Sequence, residues 1–98
     1  MRLKPQEIDA IKTAAADVFG PGVVVRLFGS RVHDDARGGD IDLHLEVDEM
    51  EDEWRAKDRF LDKLFAHMEP QKVDIIFSIR GKQPQAFERI AYRDGVVL

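Results

Sequence analysis

The 98-residue sequence contains no cysteine. Disulfides, thiol catalysis and cysteine-held zinc are thereby excluded. No apolar run approaches the ~18 residues that a membrane-spanning helix needs. The opening stretch, MRLKPQEIDAIK, lacks the apolar segment that follows the charges of a secretory leader, so a cytoplasmic protein is expected. A positive balance is missing as well: 15 basic residues against 19 acidic ones give a net charge of −4. The basic residues are scattered, and no stripe of them marks a direct nucleic-acid footprint. Nucleotides handled through a metal ion stay open. Internal repeats, low-complexity segments and linkers are also absent.

What is present suits one globular domain spanning residues 1–98. Apolar residues make up 44% and charged residues 35%, which is ordinary for a folded chain. A chain of this length buries about 60–65% of its unfolded surface, enough for one modest core.

Apolar positions at Ile8, Ile11, Ala15, Val18 and Phe19 predict a helix over Pro5–Phe19. Pro5 suits its first turn, and Gly20-Pro21-Gly22 stops it. Val23–Phe28 reads as a strand covered on both faces. Gly29 ends it, and a polar stretch runs from Ser30 to Gly39. Ile41–Val47 then alternates: Ile41, Leu43, Leu45 and Val47 on one face, Asp42, His44 and Glu46 on the other. Asp40 shares the face of Asp42. The acidic run Asp48–Glu53 reads as a solvated loop that favours the start of the next helix. That helix is expected over about Glu51–Met68, with Trp54, Leu61, Leu64, Phe65 and Met68 as its apolar stripe. Glu69-Pro70-Gln71 breaks it. A third strand covers Lys72–Ile79, with Asp74 opposite Val73 and Ile75 in phase. A turn over Arg80–Pro84 leads to a short helix, Gln85 to about Arg93, carrying Ala86, Phe87, Ile90 and Ala91. Asp94-Gly95 turns the chain into an apolar end, Val96-Val97-Leu98. The fold class is α+β: a small mixed sheet of three to four strands, packed by helices on one side.

Three aspartates stand out. If the strands Ile41–Val47 and Val73–Ile79 are neighbours, Asp40, Asp42 and Asp74 converge. Carboxylates roughly 5 Å apart at an effective dielectric near 20 repel by about 3 kcal/mol per pair. That is large against the ~5–15 kcal/mol stability of a small domain. A divalent cation removes the repulsion, and Mg²⁺ is typically held by one or two carboxylates together with substrate phosphates. Two metals in such a site align the attacking and leaving oxygens of a phosphoryl displacement. Read singly, Asp42 is an exposed strand residue and Asp74 an ion-pair partner. Read together, downstream of a Gly-Ser turn, they favour a site. Gly29 allows a tight turn and close approach of phosphate oxygens to the backbone, and Ser30 adds a hydroxyl donor. His44, Arg37 and His67 read as structural or solvated.

The stretch GSRVHDDARGGDIDL resembles the signature of the nucleotidyltransferase superfamily typified by DNA polymerase β. It is most similar to the minimal nucleotidyltransferase domain proteins. Gly29-Ser30, nine residues, Asp40-Ile41-Asp42, and then Asp74 within VDIIF follow that pattern. The tail AYRDGVVL is similar too, so the resemblance covers nearly the whole chain. It implies the polymerase β-like fold and Mg²⁺ bound by Asp40, Asp42 and Asp74 as a two-metal site. Gly29 and Ser30 would hold the phosphates of ATP. Arg31 is a further phosphate candidate, and equally a solvated turn residue. The implied reaction moves AMP to a hydroxyl and releases pyrophosphate, with Asp74 nearest the attacking oxygen. The implied partner is a helical HEPN-type ribonuclease toxin, adenylylated by this chain as antitoxin. Two other readings remain: a non-catalytic subunit that neutralises its partner by binding, and a small-molecule nucleotidyltransferase completed by a second subunit.

Overall fold

A computed structural model describes residues 3–29 and 39–98. The elements in chain order are α1 (Pro5–Phe19), β1 (Val24–Phe28), β2 (Ile41–Val47), α2 (Glu53–Leu64), β3 (Val73–Ile79), α3 (Ala86–Asp94) and β4 (Val96–Val97). The sheet runs in the order β3-β2-β1-β4. β1 pairs antiparallel with both β2 and β4, and β2 pairs parallel with β3. The parallel pair needs a crossover, which α2 supplies.

The period-two reading of β2 holds. Ile41, Leu43, Leu45 and Val47 are all buried. They join Val25, Leu27, Ile75 and Phe77 of the other strands and Ile11, Ala14, Ala15, Phe60 and Leu64 of the helices in one core. α1 starts with Pro5 and ends before Gly20, whose φ of 90° closes the helix as only glycine does cheaply. Phe19 stacks across the core on Phe60 and Phe77 at 6.3 and 5.5 Å.

Four expectations need correction. α2 is shorter than the apolar pattern suggested: it starts two residues later, where the capping Asp52 carboxylate accepts from the Arg55 N–H at 3.2 Å, and it ends four residues earlier, at Leu64, where the Ala66 and His67 N–H groups bond three residues back, to Lys63 and Leu64. Trp54, expected on the apolar stripe, lies in the first turn, short of the core, and is 78% exposed. The Lys57 ammonium sits over its ring instead. Phe60, fully buried, takes the central place in the stripe. β1 is not covered evenly on both faces: Val25 and Leu27 are buried while Val24, Arg26 and Phe28 are half-buried.

The fourth correction concerns the layers. Helices lie on both sides of the sheet, not on one. α1 and α2 cover the apolar face. α3 crosses the other, where its Tyr92 ring packs edge-on against His44 at 4.6 Å and its Glu88 bonds Ser78. The pattern of α3 is inverted as a result. Phe87 and Ile90 point outward, 51% and 49% exposed, and only Ala91 is buried. The sheet presents polar groups there, so the helix turns its polar side inward. β4 extends the sheet by two residues beside β1, and the Leu98 N–H continues the ladder to the Val25 carbonyl at 2.9 Å. No helix among the described residues is long and apolar enough to cross a membrane.

Candidate metal and nucleotide site

The site lies where β1 ends and where β2 and β3 begin. β2 and β3 start side by side because the chain enters both from the same edge. Parallel pairing then sets Asp42 abreast of Asp74. Neighbouring strands are ~4.8 Å apart, so the two carboxylates share one face at adjacent positions. Antiparallel pairing sets Asp42 opposite Phe28, the last residue of β1. The next residue, Gly29, turns the chain with φ of 76°. A Cβ there would stand 3.0 Å from Asp42 Cγ and would collide with Oδ2. Gly29 is therefore required twice, for its backbone angle and for the space that the Asp42 carboxylate occupies.

Asp40 immediately precedes β2, and Lys72 immediately precedes β3. The Ile41 N–H donates to the Lys72 carbonyl at 3.1 Å, which binds the two strand starts together. Lys72 Nζ lies 3.3 Å from Asp40 Oδ2. Asp42 is half-buried, and burial raises its pKa, helped by the charges of Asp74 and Asp40 and opposed by Lys72. The Lys72 ammonium is held above its usual range by its hydrogen bond to Asp40, and by the charges of Asp40, Asp74 and Asp42. Asp74 is exposed on the rim of the site.

Carboxylate oxygens are hard ligands, and a pair of them leaves coordination positions for water and phosphate. Asp42 and Asp74 with Asp40 beside them fit Mg²⁺ by donor type, and Gly29 gives the Asp42 carboxylate the space that a side chain would take. Among the described residues, no group of three or more His, Asp or Glu side chains is closed tightly enough to grip a metal ion. Asp40 is engaged with Lys72. Ser30 and Arg31, the other phosphate candidates, lie outside the described residues.

Sequence reasoning missed two features. One is Lys72. Its signal was there, since it stands two residues before Asp74 and shares its face. The other is a polar network between the sheet and α3. Ser78 Oγ donates to Glu88 Oε1 at 2.5 Å and so accepts from His44 Nε2 at 2.7 Å. That assigns the Nε2–H tautomer to a neutral His44 and leaves Nδ1 buried with no partner among the described residues. Arg26 lies over the Tyr92 ring at 4.6 Å and bonds Glu46 at 2.9 Å. Arg80 holds the other Glu46 oxygen at 2.8 Å, bonds Asp48, and reaches the Gly22 carbonyl at 2.8 Å. Burial works against ionised Glu46, but the bonds from Arg26 and Arg80 outweigh it and hold its pKa down. Burial pushes the Tyr92 hydroxyl up.

Burial, with Arg26 nearby, lowers the pKa of His44; Glu46 and Glu88 oppose this only in part. Folded His44 thus stays neutral where the unfolded residue, at 6.5, begins to take a proton. Stability is therefore retained above that value and lost as pH falls from it towards the folded pKa. Melting curves in EDTA should show this loss as pH falls below 6.5, and His44→Gln should flatten it. An unchanged slope in that variant would contradict the assignment.

No protein-family model matches the chain, and no curated protein matches it.

Proposed function

We propose that this chain is a Mg²⁺-dependent nucleotidyltransferase that moves AMP from ATP to a hydroxyl of a protein partner, as antitoxin to a HEPN-type ribonuclease toxin. The observation that supports this best is Gly29 pressed against the Asp42 carboxylate, with Asp42 abreast of Asp74. A glycine turn against paired carboxylates is what a nucleotide needs in order to meet metal and backbone at one place. The resemblance of Gly29-Ser30 and Asp40-Ile41-Asp42 to the polymerase β-like signature narrows this to nucleotidyl transfer.

In this reading Asp42, Asp74 and Asp40 hold the metal. Bound there, Mg²⁺ would neutralise charge on the phosphates and align the displacement. Gly29 keeps the wall beside Asp42 low enough for phosphate oxygens to approach. Asp74, on the exposed rim, is placed to receive the acceptor hydroxyl and take its proton. The hydroxyl oxygen bonds the α-phosphorus as the bond to the β-phosphate oxygen breaks, and pyrophosphate leaves. Half-burial of Asp42 weakens competition from water for its oxygens.

The exposed apolar side chains favour a second reading, a subunit that neutralises its partner by occupying it. Phe87, Ile90 and Val97 would suit a protein surface better than water. The two readings separate on ATP labelled in turn at the α- and γ-phosphates, incubated with Mg²⁺ and the product of the neighbouring gene. Nucleotidyl transfer puts the α-label on the partner and leaves the γ-label in pyrophosphate. Neutralisation of the partner with neither label transferred would support the binding subunit.

A further inference from the structure

Lys72 brings a cation to the carboxylate cluster. Its ammonium is 3.3 Å from Asp40 Oδ2, and Asp40, Asp74 and Asp42 all act on it. Its backbone is fixed beside them by the bond between its carbonyl and the Ile41 N–H. Its side chain, by contrast, is 72% exposed and hangs on four flexible methylenes. A fixed root with a mobile, weakly held charge is suited to exchange. The pair occupies an Asp40 oxygen that a third metal ligand would need.

We propose that Lys72 is the resident counter-cation of this site, holding Asp40 until a divalent ion displaces it. The inference rests on the metal-binding reading given above. Without metal, the ammonium offsets the mutual repulsion of three carboxylates. With metal, the ion replaces it on Asp40, and Lys72 swings into solvent. Lys72 thereby sets the metal concentration at which the site closes. An exposed ion pair is weak, so the competition is modest.

The test is Mn²⁺ alone, titrated into the metal-free full chain and followed by the loss of the free-ion electron paramagnetic resonance signal. Lys72→Met should bind Mn²⁺ about two- to five-fold more tightly than wild type. Lys72→Arg, which keeps the charge, should bind like wild type. Asp42→Asn should lose the site. If Asp42→Asn loses binding but Lys72→Met binds no more tightly than wild type, the exchange role is overturned while the metal site stands. If Asp42→Asn binds as well as wild type, or wild type binds no Mn²⁺ at millimolar concentration, the metal reading fails and the exchange role with it.

Discussion

Asp42→Asn should lower the rate of AMP transfer by about 10³-fold or more without unfolding the protein. The size follows from the role. A carboxylate that holds the metal supplies several kcal/mol of transition-state stabilisation, and ~4 kcal/mol is a factor of about 10³. The amide keeps the shape of the carboxyl group and its fit against Gly29, so packing is retained. It removes the charge that the metal needs. It also removes a charge that the metal-free fold bears at a cost, because burial and the neighbouring Asp74 and Asp40 all disfavour ionised Asp42. Its folded pKa is raised, so protonation favours the native state. The metal-free protein therefore loses stability as pH rises through the unfolded value of 3.8 towards the folded one. At neutral pH, without metal, the asparagine variant should be the more stable of the two. Activity and metal-free stability should move in opposite directions, which a merely structural aspartate would not produce. Rates are read from labelled partner over time, and stability from melting in EDTA.

Gly29→Ala should cost about 10²-fold in transfer, more than its effect on folding would suggest. Two costs combine. The backbone at φ of 76° penalises any L side chain by about 1–2 kcal/mol. The new methyl group also meets the end of the Asp42 side chain. That side chain can rotate away, so the fold survives and the carboxylate moves. A displacement of about 1 Å at a reacting centre is enough for a 10²-fold loss. A double-mutant cycle separates the parts. In an Asp42→Ala background the collisions with Cγ and Oδ2 are gone and only a 3.3 Å approach to the residue-42 Cβ remains, so Gly29→Ala should cost little beyond the backbone strain in urea unfolding. The two substitutions should then be non-additive in stability, as neighbours in contact are. Additive costs would mean that Gly29 and Asp42 do not share this space.

Much of this site was legible in the sequence because side chains alternate along strands. The phase of β2 alone separated Asp42 from Ile41 and Leu43, and the phase of β3 separated Asp74 from Val73 and Ile75. The parallel register that sets Asp42 beside Asp74 was not legible, because period two fixes the face of a residue and not its neighbour across the sheet. The position of α3 was hidden for a related reason. The sequence shows that α3 carries Phe87, Ile90 and Ala91 but not which side faces the sheet, and the face that α3 covers carries His44 and Ser78. A polar sheet face draws the polar side of a helix inward, and this depends on pairing partners far apart in the chain. Trp54 misled because apolar character was weighed without asking where Asp52 starts the helix. Asp40 shows the limit of counting carboxylates. Three acids share a face, but one of them is taken by Lys72, two residues before Asp74.

The carboxylate site is tested most directly by melting wild type and Asp42→Asn in EDTA and then with millimolar MgATP. Wild type should melt below the variant in EDTA and above it with MgATP. A ligand at about 100 times its Kd stabilises by ~2.7 kcal/mol, or roughly 10–20 °C in a domain this small. The variant should shift little. The same shift in both proteins, or none in wild type, would contradict a metal and nucleotide site at Asp42 and Asp74.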